Sequence, residues 1–271
     1  MRIFVCVKQV PDTTKVAIDQ QTGTLIRSGV ESKTNPYDLA ALETAFDIRQ
    51  RIGGKVIAIS MGPPQAADVI RESLALGADD GILITDKAFA GSDVLATAYT
   101  LSRAITAVGG SDLIICGKQT TDGDTAQVGP ALAEFLDIPH AAWVVDIPAV
   151  DEKSITVTHD LTDRILTVKM NFPCLITVEK CQKPLHLPSY IRKKQFAGRE
   201  ITVLNLSDFD DTEPSHYGSY GSPTRVEKIF PPTPTAKRIM FEGDSEKLAK
   251  DLARVLINHK FIGGENIPCR E

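Results

Sequence analysis

The sequence LIICGKQTTDGDTAQVGPALAEFL, residues 113–136, contains an apolar run, a polar loop and an apolar helical pattern in that order. The run Leu113–Cys116 is short and almost continuously apolar, which is typical of a strand buried on both faces of a parallel sheet. A loop rich in Gly, Thr and Asp, Gly117–Pro130, leads into the helical stretch Ala131–Leu136. This order predicts an α/β fold, in which ligands bind at the carboxyl ends of the strands.

The same alternation runs through about the first 150 residues. The other apolar runs are Arg2–Val7, Lys55–Ser60 and Gly81–Thr85. The helical patterns between the runs are Asp38–Ile52, Ala66–Leu76 and Asp93–Val108. We therefore expect a parallel sheet joined by right-handed crossovers and covered by helices on both faces.

The pattern changes after Pro148. Ser154–His159, Ile165–Asn171 and Cys174–Val178 read as short strands, of which the first two suggest an antiparallel hairpin appended to the sheet. Seven prolines between residues 183 and 241 favour an extended path. A last helix begins near Asp244 or Ser245, and its apolar stripe is Leu248, Leu252, Val255 and Leu256. Either this region is an arm that lies along a partner, or it folds back on its own domain.

Composition narrows the classes of function. Thirty Lys and Arg residues against 35 Asp and Glu give a formal net charge of −5, so no basic excess is available for nucleic acid. The longest apolar stretches are too short to span a membrane. Residues 1–10 pass directly into a strand-like run without the pattern of a signal peptide, which predicts a cytoplasmic protein. The five cysteines include no CxxC pair, which argues against disulfides and iron–sulfur ligation.

Common catalytic and nucleotide fingerprints are absent from the sequence. It contains no GxGxxG after the first strand, and no GxxxxGK[ST], HExxH or GxSxG. The five histidines are dispersed along the chain. We therefore assign no catalytic residue and no metal ligand.

Four segments are instead expected to meet at one edge of the sheet. In Gly117–Pro130, small residues at a helix start leave backbone N–H groups free for a phosphate. Asp122 and Asp124 would repel a bare phosphate and better suit ribose or ribityl hydroxyls, or helix capping. The other three segments are Cys6–Lys8, at the end of the first strand; Asn35–Asp38, which has an N-cap Asn before Pro; and Ser60–Gln65, which contains Gly62. A further small-residue loop on the same edge is Phe89–Thr97, in which Asp93 is a cap or a ligand. Together they predict an adenine-nucleotide pocket.

Five segments, in order and with matching spacing, carry a resemblance to the beta subunit of electron-transfer flavoproteins. They are VCVKQVPD (Val5–Asp12), NPYDLAALE (Asn35–Glu43), ISMGPPQ (Ile59–Gln65), LALGAD (Leu74–Asp79) and GKQTTDGDTAQVGP (Gly117–Pro130). The resemblance implies a Rossmann-like, FAD- or nucleotide-binding domain with the hairpin over residues 1–182. It also implies that residues 183–271 form a partner-recognition loop and an arm embracing an alpha subunit.

The family divides by the ligand of the beta subunit. Ordinary members hold AMP as a structural ligand, whereas electron-bifurcating members hold a second FAD that exchanges hydride with NADH. This chain resembles the bifurcating members in its loop Asp122–Gly129 and in Phe89–Thr97. The resemblance then implies an oxidoreductase complex. In such a complex, one electron would go to ferredoxin. The other would go through the alpha-subunit FAD to an acyl-CoA dehydrogenase, a reductase or a similar flavoenzyme.

The same resemblance assigns ligand contacts. The adenosine part would meet Cys6, Asn35, Tyr37, Asp38 and Met61. The ribityl chain and pyrophosphate would meet Asp122, Gly123, Asp124, Thr125, Gln127 and Val128. Asp93 and Thr97 would lie near the same flavin.

The chain departs from the family pattern in two segments, and two rival interpretations of its function stay open. Val157–Pro173 lacks most of the expected signature, and Leu185–Ile201 carries Tyr190 where an aliphatic residue is common, which suggests a dedicated redox partner. The first rival is an AMP-binding beta subunit that serves as the scaffold of a single-flavin carrier. The second is a nucleotide-sensing protein of the universal-stress or ATP-pyrophosphatase type, which would not need the proline-rich second half.

Overall fold

The computed structural model describes residues 1–12, 32–161, 163–179, 184–227 and 240–262. Its strands are β1 (Arg2–Cys6), β2 (Gln9–Pro11), β3 (Ser32–Thr34), β4 (Lys55–Met61), β5 (Asp80–Ile84), β6 (Leu113–Gly117), β7 (His140–Val150), β8 (Ser154–Asp160), β9 (Ile165–Asn171), β10 (Cys174–Val178) and β11 (Thr202–Leu204). Its α-helices are α1 (Pro36–Ile52), α2 (Ala67–Leu76), α3 (Val94–Ala107), α4 (Val128–Phe135), α5 (Tyr190–Phe196) and α6 (Ser245–Asn258).

A nine-stranded sheet forms the centre of the fold, in the order β11-β5-β4-β1-β6-β10-β7-β8-β9. The strands from β11 to β7 pair in parallel, and β7, β8 and β9 pair antiparallel. The predicted α/β class, the parallel sheet and the appended hairpin are therefore confirmed. A separate two-stranded ribbon joins β2 to β3.

Two apolar cores lie on opposite faces of this sheet. One contains Ile3 and Val5 of β1 packed with residues of α1 and α2. The other contains Phe4 of β1 packed with residues of α3 and α4. Because successive side chains of a strand point to opposite faces, a strand covered on both sides must be apolar throughout. This explains why β1, β4 and β6 read as continuous apolar runs.

β7 is an element that the apolar pattern does not indicate. Only Ala141 and Val144 of its 11 residues are buried, and its pairing with β8 contains irregular register shifts. Trp143 adopts a φ of 58°, and its N–H donates to Oγ1 of Thr177 at 3.0 Å. A strand with such irregularities carries neither a continuous apolar run nor a regular alternation, so periodicity alone misses it.

Residues 184–227 pack on the α/β unit. The prolines do exclude long helices, since α5 spans seven residues, but β11 adds a parallel edge strand to β5. Tyr217 is fully buried among Phe89, Tyr99 and Phe209, and its hydroxyl donates to the carbonyl oxygen of Asp211 at 2.6 Å. Contacts within the chain define two compact units, Met1–Ile229 and Phe230–Glu271. The division at residue 182 concerns contacts with a partner and stays a prediction.

Helix α6 belongs to the second unit. It begins as predicted, because a carboxylate oxygen of Asp244 accepts the N–H of Lys247 at 2.9 Å. Within the part of the unit that the structure describes, none of the side chains of α6 is buried. Leu252, in the apolar stripe, is 53% exposed.

Membrane-spanning helices and metal-binding clusters are both absent from the described residues. Among them, no helix combines the length and apolar character needed to cross a bilayer. The same residues contain no group of three or more His, Cys, Asp or Glu side chains able to hold a metal ion.

Candidate functional site

The carboxyl ends of β4, β1 and β6 lie side by side at one edge of the sheet. Cys6, the last residue of β1, pairs with Ile59 of β4 on one side and with Cys116 of β6 on the other. Helix α4 follows β6 after the segment 118–127, which we call the β6–α4 loop. Helix α1 begins at the same edge, because the N–H of Asn35 donates to the carbonyl oxygen of Lys8 at 2.9 Å.

Asn35 fastens the β6–α4 loop to α1. Its side-chain N–H donates to the carbonyl oxygen of Gln119 at 2.8 Å, and its Oδ1 accepts the N–H of Thr121 at 3.3 Å. Asn35 is fully buried. It stands at the N-cap position before Pro36, as the sequence indicates, but its side chain makes no capping hydrogen bond. The amide is instead used to hold a loop 84 residues further along the chain.

Asp38 is a buried carboxylate directly beneath this loop. Its Oδ2 accepts the N–H of Lys8 at 2.8 Å. Burial raises the pKa of Asp38 to about 7, although hydrogen bonds from Asn35 and from the N–H groups of Lys8 and Gly117 lower it. The site therefore contains a carboxyl group that changes its charge near neutral pH.

Gly117 permits the close packing of β6 against α1. A Cβ at this position would lie 2.8 Å from the carbonyl carbon and the Cβ of Tyr37, and closer still to Oδ1 of Asp38. Any side chain here would push the start of α1 away from the end of β6. Tyr37, a predicted ligand contact, is half-buried at this junction.

Both carboxylates of the β6–α4 loop are engaged. Nζ of Lys8 lies 2.8 Å from each carboxylate oxygen of Asp122, and the side-chain amide of Gln119 donates to Asp124. Partial burial raises the pKa of Asp122, but the hydrogen bond and charge of Lys8 outweigh it, so the pKa is lowered overall. The sequence predicts that these acids repel a bare phosphate. In the structure, Lys8 balances the charge of Asp122, and Gln119 donates a hydrogen bond to Asp124.

The rest of the loop leads to the start of α4. Asp124 and Ala126 adopt positive φ angles of 52° and 56°. Gly123 and Thr125 are exposed. Gln127 stands at the N-cap position of α4 without making a capping hydrogen bond, and Val128 is the first helical residue. The helix begins three residues before the predicted Ala131, since Pro130 is tolerated in a first turn.

Ser60 lies in the predicted segment Ser60–Gln65, but the sequence assigns it no ligand contact. It is 1% exposed at the end of β4, and its Oγ has no hydrogen-bond partner among the described residues. An unpaired buried hydroxyl is costly, and a ligand can satisfy it. The available signal was a lone polar residue closing an apolar run. Its neighbour Met61, a predicted contact, is half-buried, as is Cys6.

Asp93 and Thr97 are placed differently from the other predicted contacts. The carboxylate of Asp93 caps α3 by accepting the N–H of Ala96 at 3.1 Å, and it also accepts Oγ1–H and N–H of Thr224 at 2.7 and 3.1 Å. Burial raises the pKa of Asp93, but these hydrogen bonds lower it overall. Thr97 lies one turn into α3 and is half-buried. In the described part of the chain, the Asp93 carboxylate contacts α3 and Thr224 rather than the β6–α4 loop.

Replacing Asp93 by Ala is expected to release the segment around Thr224. The variant loses the α3 cap and both bonds to Thr224, at a cost of about 1–2 kcal/mol. Trypsin should then cut after the neighbouring Arg225 several times faster than in the wild type, measured by mass spectrometry over a digestion time course. Asp163→Ala removes an exposed carboxylate that pairs with Arg164 and should leave that rate unchanged. Equal rates in Asp93→Ala and the wild type would contradict the assignment.

Comparisons with known proteins agree with this architecture. The model of the electron transfer flavoprotein domain matches residues 22–207. The electron transfer flavoprotein subunit beta of Thermoanaerobacterium thermosaccharolyticum is 42% identical over 268 residues, covering 97% of this chain and 100% of the relative. Protein FixA of Sinorhizobium fredii is 39% identical over 267 residues, covering 96% and 94%.

A third relative is named as part of a larger complex. The caffeyl-CoA reductase-Etf complex subunit CarD of Acetobacterium woodii is 43% identical over 236 residues, covering 86% of this chain and 88% of the relative. Together with the match to the domain model, these identities and coverages are decisive. The chain belongs to the electron transfer flavoprotein family and is similar to its beta subunits along nearly its whole length.

Proposed function

We propose that this chain is the beta subunit of an electron-bifurcating electron transfer flavoprotein. We also propose that FAD binds at the sheet edge between the ends of β4 and β1 and the β6–α4 loop, a region that we call the crevice. Membership of the family implies a role in electron transfer. The finer assignment rests on the resemblance of the β6–α4 loop and of Phe89–Thr97 to bifurcating members. We propose a cytoplasmic location and NADH as the electron donor.

One observation carries the proposal of a nucleotide in this crevice. Asn35 is fully buried, and its side chain holds the β6–α4 loop by two hydrogen bonds. At the same edge of the sheet, the Ser60 hydroxyl has no partner among the residues that the structure describes. A folded protein seldom leaves such a hydroxyl without a partner. The absence of a side chain at Gly117 keeps the elements around the crevice close together. An unpaired hydroxyl at this edge fits a ligand that has polar groups, such as the hydroxyls of a ribose.

The protein contributes binding and orientation. FAD, when bound, supplies the capacity to accept a hydride and to pass electrons on singly. Cys6, Tyr37 and Met61 would hold the adenosine part, and Asp38 would support them from below. The β6–α4 loop and the uncapped start of α4 at Val128 would face the ribityl chain and pyrophosphate. Asp93 would affect the flavin indirectly, because its carboxylate fixes the start of α3 and Thr224.

We propose an alpha subunit and an acyl-CoA dehydrogenase or reductase-type flavoenzyme as protein partners, with ferredoxin as the low-potential acceptor. CarD carries the name of a caffeyl-CoA reductase-Etf complex, which supports such a partner. Leu187, Tyr190 and Ile191 are 87%, 75% and 78% exposed in the predicted recognition loop. That loop is anchored to α1, where the carboxylate of Glu43 accepts the N–H of His186 at 2.6 Å. Exposed apolar side chains on an anchored segment are suited to protein contacts.

The test is an anaerobic assay of the purified heterodimer with NADH, ferredoxin and a candidate high-potential oxidant such as an enoyl-CoA with its reductase. We expect ferredoxin to be reduced only when the oxidant is present. Reduction of ferredoxin that is independent of the oxidant, or oxidant reduction with no ferredoxin reduced, would contradict bifurcation.

The second candidate is a single-flavin carrier whose beta subunit holds AMP. The same crevice supports it, because AMP shares the adenosine and phosphate groups of FAD. In that case the heterodimer transfers electrons between flavoenzymes, and the beta subunit is a scaffold.

A further inference from the structure

The ammonium group of Lys8 forms an ion pair with an acidic residue of the β6–α4 loop. Its Nζ lies 2.8 Å from both carboxylate oxygens of Asp122. The loop's own cation, Lys118, is directed elsewhere: its Nζ pairs with Glu179 at 3.3 Å and lies 4.7 Å from the centre of the Trp143 ring. Among the described residues, Lys8 is therefore the group whose charge balances Asp122.

The ion pair is accessible to a ligand. The side chains of Lys8 and Asp122 are 45% and 34% exposed, so both can meet a molecule that enters the crevice. An uncompensated carboxylate beside a bound phosphate would repel it, and water and salt would screen the repulsion only in part. Compensation of the Asp122 charge by Lys8 therefore favours the binding of a phosphate-bearing ligand more than the binding of a neutral one.

The backbone of Lys8 is fixed independently of its side chain. Its N–H donates to Asp38 at 2.8 Å, and its carbonyl oxygen accepts the N–H of Asn35 at 2.9 Å. Substitutions at Lys8 keep both hydrogen bonds, since neither uses the ammonium group. A change of the side chain thus alters the charge of the site without removing the bonds that hold α1 to β1.

We propose that Lys8 is a specificity-determining residue, which neutralises Asp122 so that the β6–α4 loop accepts a phosphate-bearing nucleotide. The proposal rests on the proposed function, since it assumes that this crevice binds FAD or AMP. In this proposal the ammonium group of Lys8 interacts with Asp122 and not with the phosphate, and an experiment can distinguish the two.

The experiment is calorimetric titration of nucleotide-depleted heterodimer with AMP and with adenosine. We expect Lys8→Met to weaken AMP binding by about tenfold and adenosine binding by less than about twofold, with a smaller loss of AMP affinity at about 0.5 M KCl. Adding Asp122→Asn to Lys8→Met should return AMP affinity to within about threefold of the wild type, because the repelling charge is gone. Lys8→Arg should stay close to the wild type.

Four results would overturn the proposal. Equal losses of affinity for AMP and for adenosine in Lys8→Met would mean that Lys8 has a structural role. A loss of AMP affinity that salt does not change would mean the same. No rescue by Asp122→Asn would mean that Lys8 contacts the phosphate directly. A wild-type heterodimer that binds neither probe would overturn the proposed function and this proposal with it.

Discussion

Gly117→Ala is expected to destabilise the protein by about 3 kcal/mol and to empty the nucleotide site. The added Cβ would lie 2.8 Å from the carbonyl carbon of Tyr37 and nearer still to the carboxylate of Asp38. The carbonyl carbon belongs to the backbone of α1, so the strain cannot be relieved by turning a side chain. The end of β6 and the start of α1 must separate, and the β6–α4 loop moves with them. Urea unfolding and the nucleotide content of the purified protein measure both effects.

Gly198→Ala provides the matched control. A Cβ at Gly198 meets no atom within 4 Å, and its backbone does not require glycine. This variant should lie within about 0.5 kcal/mol of the wild type and keep its nucleotide. If Gly117→Ala behaved like Gly198→Ala, the close packing of β6 on α1 would be wrong.

Asp38→Asn is expected to remove a strong pH dependence of stability. The folded-state pKa of Asp38 is raised from 3.8 to about 7, so the folded protein keeps a proton that the unfolded chain loses between those values. The free energy of unfolding of the wild type therefore falls as the pH rises from about 4 to about 7, by roughly 4 kcal/mol from this group. Asparagine has no proton to lose in this range, and its carbonyl oxygen can still accept the N–H of Lys8.

The measurement is urea unfolding of both proteins across this pH range. The stability of Asp38→Asn relative to the wild type should be constant below about pH 4, rise up to about pH 7 and then level off. Asp68→Asn changes a carboxylate on α2 that is 73% exposed, and its difference from the wild type should be flat. Parallel curves for Asp38→Asn and the wild type would contradict the raised pKa.

The sequence predicted the features that depend on burial alone. Runs such as Leu113–Cys116 are apolar because both faces of the strand are covered, and this pattern is visible without a structure. β7 and β11 were missed, since register shifts and a short edge position leave no regular pattern. Residues 13–31, 162, 180–183, 228–239 and 263–271 lie outside the described residues.

The candidate site also combines features that the sequence predicts with features that it does not reveal. The converging loops followed from strand order, because the carboxyl ends of parallel strands meet at one edge. Sequence could not indicate that Asn35 holds a loop instead of capping α1, nor that Lys8 pairs with Asp122 across 114 residues. Such pairings depend on distance in space, which spacing along the chain does not reveal. The ligand contacts assigned by resemblance, from Cys6 to Val128, stay predictions.

The proposed function depends on a flavin bound in the crevice of this beta subunit. It is tested most directly by releasing the cofactors from the purified heterodimer and counting FAD and AMP by chromatography with absorbance detection. We expect two FAD molecules and no AMP per heterodimer, with one FAD lost in the Gly117→Ala variant. One FAD together with one AMP would contradict it and would leave the chain as the scaffold of a single-flavin carrier.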